Sequence, residues 1–202
     1  MISGIDVDGV LTNLYKSVKK EYKKFSKIKN GRCIINKSGR SLSDIFGVSR
    51  AEDEEFFEKY MWTYAENSIY YSSASKYLKL LKKAGHTLYI VTARAFAGRD
   101  DENGKRMRNL IETSMKKAGI IYDKIFYTSE SKSKLPIIKE LGIEVFIDDS
   151  HWNIEELSKH IPVICFEQIY NRKCEFSGVL RARNWKNVYN CIELLNKKRV
   201  NN

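Results

Sequence analysis

Ile2-Ser3-Gly4-Ile5-Asp6-Val7-Asp8-Gly9 reads as a short apolar strand that ends in two carboxylates and a glycine. Residues 2–7 have the apolar, β-branched character of a buried strand. Side chains alternate along a strand, so Asp6 and Asp8 fall on one side and Val7 on the other. Gly9 allows a sharp turn and a close approach of backbone to a ligand. Two carboxylates held together do not both ionise freely without a cation or a donor. The motif therefore points to a metal, or to a nucleophile beside a proton donor. Taken alone, it equally describes a strand end running into a turn.

Working outward, residues 87–92, 124–128, 144–147 and 162–166 read as four more buried strands. Helical patterns follow at 75–84, 105–118, 136–141, 153–160 and 186–198, the first three closed by Gly85, Gly119 and Gly142. Strands alternating with helices predict an α/β fold with a mostly parallel sheet. Such sheets bind ligands beyond the carboxyl ends of their strands. Asp6, Thr92 and Asp148 each end a predicted strand, so the fold gathers them at one edge. Residues 15–74 break the alternation with two aromatic helical sets, Tyr15/Val18/Tyr22/Phe25 and Phe56/Phe57/Tyr60/Met61/Tyr64. They read as a helical insertion after the first strand, leaving 1–14 and 75–202 as the core domain.

Several residues at that edge have chemical potential. Asp148 and Asp149 follow Val145-Phe146-Ile147, and adjacent acids at a strand end suit a hard cation such as Mg²⁺. Helix capping by Asp149 or Ser150 explains one of these residues but not the pair. Thr92, followed by Ala93 and Arg94, offers a hydroxyl and backbone N–H groups to phosphate oxygens. Lys134 stands just outside a helix whose first turn contains Pro136, and Lys132 is its rival. Ionised Asp6, Asp148 and Asp149 with a phosphate dianion amount to about five negative charges, and each like-charge pair at about 4 Å costs about 4 kcal/mol at an effective dielectric of 20. A divalent ion and one lysine offset about three of them.

Composition narrows the class. The chain has 202 residues, 43% hydrophobic, with only two prolines, which fits one compact domain carrying an insertion. Its net charge of +11 comes from scattered lysines. A solvated basic surface is favoured over nucleic-acid binding, and such a field also collects a small phosphorylated substrate. The four cysteines form no C-x-x-C pair, which argues against zinc and for reduced thiols. The N-terminal stretch lacks the pattern of a signal peptide, and no apolar run spans a bilayer. A cytoplasmic protein without a membrane partner is expected, and the oligomeric state is open.

The segments Asp6-Val7-Asp8-Gly9-Val10-Leu11-Thr12, Val91-Thr92-Ala93-Arg94, Lys134 before a helix, and Phe146-Ile147-Asp148-Asp149 resemble, in this order, the haloacid dehalogenase (HAD) superfamily of phosphotransferases. The helical aromatic insert, Tyr70-Tyr71, Tyr170-Asn171-Arg172 and Asn184-Trp185 are similar to the cytosolic-type 5′(3′)-deoxyribonucleotidases and their bacterial nucleotidase relatives. The resemblance implies a three-layer Rossmann-like parallel sheet with a small helical cap after the first strand. It implies a nucleotidase acting on (deoxy)nucleoside monophosphates, with other phosphomonoesters (a sugar phosphate or a nucleic-acid 3′-phosphate end) or a non-catalytic binding module as alternatives. Asp6 would be the nucleophile and Asp8 the acid/base, which requires an environment favouring its protonated form. Mg²⁺ would be held by Asp6, the backbone carbonyl of Asp8, and Asp148 or Asp149. Thr92 and Lys134 would bind the phosphoryl group, Arg94 would contact substrate, and Phe56, Phe57 and Trp62 would stack on the base.

Overall fold

The computed structural model describes residues 1–28, 34–36, 38–39, 42–129 and 133–200. Its strands are β1 (Ile2–Ile5), β2 (Thr87–Thr92), β3 (Lys124–Tyr127), β4 (Val145–Asp148), β5 (Val163–Phe166) and β6 (Leu180–Ala182). All pair in parallel, in the order β3-β2-β1-β4-β5-β6. The chain runs outward from β1 through β2 to β3, then returns to place β4 on the other side of β1. A crevice opens where the strand order reverses, so the carboxyl ends of β1 and β4 flank the expected ligand position. Five strands agree with the sequence reading. The sixth, only three residues long and half-buried at its start, lacks the apolar run that marks the others.

Alternation along the strands builds two apolar layers. Ile5, Leu88, Ile90, Val145, Ile147, Ile164 and Phe166 face one side, where α4 (Ser72–Lys83), α5 (Glu102–Lys117) and α8 (Trp185–Val200) bring Leu78, Leu81, Met107, Ile111, Val188 and Ile192. Val91, Phe146, Val163 and Cys165 face the other, against Ile138 of α6 (Leu135–Glu140) and Ile154 and Leu157 of α7 (His151–Leu157). A three-layer α/β/α sandwich results. The α5 start has a local cause: Asp101 caps it by accepting from the Gly104 amide at 2.8 Å.

Between β1 and α4 lie α1 (Leu14–Ile28), α2 (Leu42–Phe46) and α3 (Arg50–Glu66). Ser49 and Glu52 close a capping box at the start of α3. Tyr22, Phe25, Leu42, Ile45, Phe46, Val48 and Phe56 form a third apolar cluster, apart from the two on the sheet. Half of the polar, Gly- and Ser-containing stretch 30–43 between the two aromatic sets lies outside the described residues.

Candidate active site

The turn after β1 is fastened from several directions. The Asp6 amide donates to the Ile147 carbonyl at 3.0 Å and carries the β1–β4 pairing one residue further. The Trp185 indole Nε1 donates to the Val10 carbonyl at 3.2 Å, and Gln168 Nε2 donates to the Gly9 carbonyl. Gly9 itself has φ +80, and an added Cβ would lie 2.1 Å from Asp149 Oδ2. Both the left-handed backbone and the close carboxylate exclude a side chain there.

This turn meets the end of β4 at a buried charge cluster. Lys134, immediately before α6, donates through Nζ to Asp6 Oδ1 at 2.7 Å and to Asp148 Oδ2 at 2.8 Å. Asp148 also accepts from the Ser150 amide and from Asn153 Nδ2. Asp149 accepts from the Tyr170 hydroxyl, and Asn171 Nδ2 donates to the Asp149 carbonyl. One carboxylate oxygen from each of Asp6, Asp148 and Asp149 lies within 4.8 Å of the other two. Three buried oxygen donors at that spacing fit a hard divalent cation. Burial pushes the Asp6 carboxyl up to about 7, with Lys134 opposing and the Asp148 and Asp8 charges adding to the rise. Burial would lower the Lys134 ammonium, but Asp148 and Asp6 outweigh it and keep the group charged. One lysine shared between two carboxylates leaves excess negative charge, which a cation would neutralise. Lys132, the rival lysine, lies outside the described residues.

Asp8 has different company. Arg94 donates to it through Nε at 2.9 Å and Nη2 at 2.5 Å, and the Tyr64 hydroxyl donates to Oδ1. Burial alone would raise the Asp8 carboxyl, yet the Arg94 charge and the hydrogen bonds from Arg94 and Tyr64 hold it below its ordinary value. The sequence reading asked for surroundings that favour protonated Asp8, and these surroundings do the opposite. Its carboxylate stands outside the three-acid cluster. Tyr64 is pushed well above the usual phenol range by burial and by the Asp8 charge, so it remains a donor. Thr92 is fully buried, with its Oγ1 accepting from the Arg94 amide at 3.3 Å.

Asp6, Asp8, Thr92, Arg94, Lys134 and Asp149 line one cavity of about 660 Å³, and Asp148 lies fully buried behind Lys134. Leu14, Val18, Leu42, Ile45, Phe57 and Met61, all from α1–α3, form its apolar wall. Of the three rings expected to stack on a base, only Phe57 belongs to this lining. Phe56 is 2% exposed and packs among Tyr22, Phe25 and Tyr60, because an aromatic ring gains more from a dry core. Trp62 stacks on Phe96, centroids 5.3 Å apart and planes 10° apart, with the Arg106 guanidinium 4.3 Å over its ring. The sequence reading passed over Tyr64, Asn153 and Gln168 as site residues. Tyr64 stood in an aromatic helical set, and nothing in that spacing marks where its hydroxyl goes.

A family model described as 5′ nucleotidase, deoxy (pyrimidine), cytosolic type C matches residues 1–199. The chain belongs to that family. This 5′-nucleotidase family member is 29% identical over 200 residues to a nucleotidase of Clostridium acetobutylicum, covering 96% of this chain and 94% of that one. Its fold is that of HAD-superfamily hydrolases. A haloacid dehalogenase-like hydrolase of Streptococcus pneumoniae superposes with a TM-score of 0.65 at 14% identity, over 95% of this chain and 97% of the other. A heptose bisphosphate phosphatase of B. bronchiseptica, solved with magnesium and phosphate, gives 0.55 at 11% identity, over 96% and 98%. The family member is accordingly a phosphoric monoester hydrolase. None of its described helices is long and apolar enough to cross a membrane.

Proposed function

We propose that the protein is a Mg²⁺-dependent 5′-nucleotidase that hydrolyses (deoxy)nucleoside monophosphates through an aspartyl-phosphate on Asp6. The observation that carries this reading is Lys134, buried and bridging Asp6 and Asp148 at the mouth of β1 and β4. An Asp6 oxygen attacks phosphorus as the ester P–O bond breaks, and the departing oxygen takes a proton from Asp8. Asp8 then takes a proton from water, whose oxygen attacks phosphorus and frees Asp6 and inorganic phosphate. Lys134, Thr92 and Arg94 bind the phosphoryl oxygens and spread their charge. Asp6, Asp148, Asp149 and the Asp8 carbonyl would hold Mg²⁺, which supplies charge neutralisation for the incoming phosphate.

For Asp8 to carry a proton, Arg94 must relax its hold. A phosphate dianion in the cavity competes for the same guanidinium, so substrate entry and acid formation are linked in this reading. The apolar wall with Phe57 suits a flat base better than a sugar. The separate apolar cluster of α1–α3 supports a cap at 15–74 on a core of 1–14 and 75–202. A cytoplasmic place of action accords with the family's description as cytosolic.

The test is phosphate release from a panel of nucleoside monophosphates, sugar phosphates and 3′-phosphorylated oligonucleotides, with Mg²⁺. Nucleotides should be turned over best, and EDTA or Asp6→Asn should each abolish release. Release that survives both treatments refutes the mechanism. Preferred turnover of a sugar phosphate or an oligonucleotide end refutes the substrate class.

A further inference from the structure

We infer that Tyr64 is a positioning residue for the acid/base carboxylate, the point at which the inserted helices reach the chemistry. The inference rests on the role proposed above for Asp8. Tyr64 lies on α3, 56 residues along the chain from Asp8, and its hydroxyl donates to Asp8 Oδ1. It is 7% exposed, and the Arg94 guanidinium carbon sits 5.0 Å from its ring centroid. Thr12 Oγ1 adds a long contact to Asp8 Oδ1 at 3.4 Å, and the two shorter anchors are Arg94 and Tyr64. Arg94 comes from the loop after β2, and Tyr64 comes from the helical segment that also forms the apolar wall.

The two anchors are not equivalent. Arg94 Nη1 is buried with no partner among the described residues, and Arg94 lines the cavity that an anionic phosphate would enter. A guanidinium with a spare N–H turns readily toward a phosphate. Tyr64 also borders the cavity, but its hydroxyl proton is already committed to Asp8 Oδ1, so it keeps the Asp8 carboxylate in place once Arg94 engages substrate. A carboxylate free to swing delivers its proton poorly, and that loss falls on the step in which the leaving oxygen needs protonation.

The leaving group gives a readout that a merely structural role would not move. A nucleoside alkoxide needs an acid, whereas para-nitrophenolate leaves without one. Tyr64→Phe keeps the ring on Arg94 and removes only the hydroxyl. Its kcat on a nucleoside 5′-monophosphate should fall about tenfold more than its kcat on para-nitrophenyl phosphate, with little change in either KM. Turnover of the aryl ester also reports that the variant has folded. In an Asp8→Asn background, Tyr64→Phe should add no further loss, since both changes act through one group. Equal losses on the two esters, or additive losses in the double variant, would overturn the inference. Wild-type protein that releases phosphate from neither ester would overturn the underlying phosphatase reading instead.

Discussion

Arg94 grips Asp8 as a fork, with Nε at 2.9 Å from Oδ2 and Nη2 at 2.5 Å from Oδ1. The Arg94 side chain is 2% exposed and that of Asp8 23%. Removing one partner leaves a charge stranded in a mostly dry site. Arg94→Ala should cost about 3 kcal/mol in urea unfolding. Arg94→Lys keeps the charge but loses the planar fork, and its kcat/KM on nucleotide should fall about 100-fold. An Arg94→Lys enzyme with wild-type kinetics would separate this residue from the reaction.

Metal should stabilise the fold, and more so at higher pH. The Asp6 carboxyl is raised from 3.8 to about 7, so between those values the folded state holds a proton that the unfolded state has lost. Stability from this group is present below about pH 4 and is lost as pH rises through about 7. Mg²⁺ binds the ionised form and reverses that loss. Thermal melts with and without Mg²⁺ should show a larger shift in Tm at pH 8 than at pH 5. An equal or opposite trend would contradict the charge argument.

Gly9→Ala places a methyl group against Asp149 Oδ2, on a backbone at φ +80. The carboxylate must move out of the three-acid cluster. Calorimetric titration should show Mg²⁺ affinity falling about 10- to 100-fold, the size of effect seen when metal-site support is lost. Stability should fall by more than about 1 kcal/mol, since displacement of the buried Asp149 carboxylate adds to the cost of a left-handed alanine. Unchanged metal affinity would mean that Asp149 takes no part in binding.

Two neighbouring rings on α3 should behave differently. Phe57 lines the cavity, while Trp62 lies between Phe96 and Arg106. Phe57→Ala should raise KM for nucleotides about tenfold, with a smaller effect on a phosphate ester that has a small leaving group. Trp62→Ala should leave KM near the wild-type value and lower stability by about 2 kcal/mol. The reverse pattern would relocate the base contact.

The sheet was legible because its strands are short apolar runs separated by helical spacing, and β2 at Thr87–Thr92 coincides with its predicted bounds. The acids and Lys134 were legible because they sit at strand ends or a helix start, where parallel α/β topology brings distant segments together. The aromatic residues were not. Phe56, Phe57 and Trp62 share one helix and one chemistry, and only tertiary packing decides which ring faces the core and which the cavity. The protonation preference of Asp8 was equally hidden, since Arg94 and Tyr64 reach it from 86 and 56 residues away.

The indole of Trp185 holds the carbonyl of Val10, 175 residues earlier in the chain. Protein synthesis is vectorial, and domains fold as their parts emerge from the ribosome. A nascent chain exposed through β5 already carries Asp6, Asp8, Lys134 and the Asp148–Asp149 pair, but not the Gln168 and Trp185 anchors of the turn that carries two of them. α8 thus completes the first loop, and a phosphatase built this way gains its activity only once Trp185 has left the ribosome.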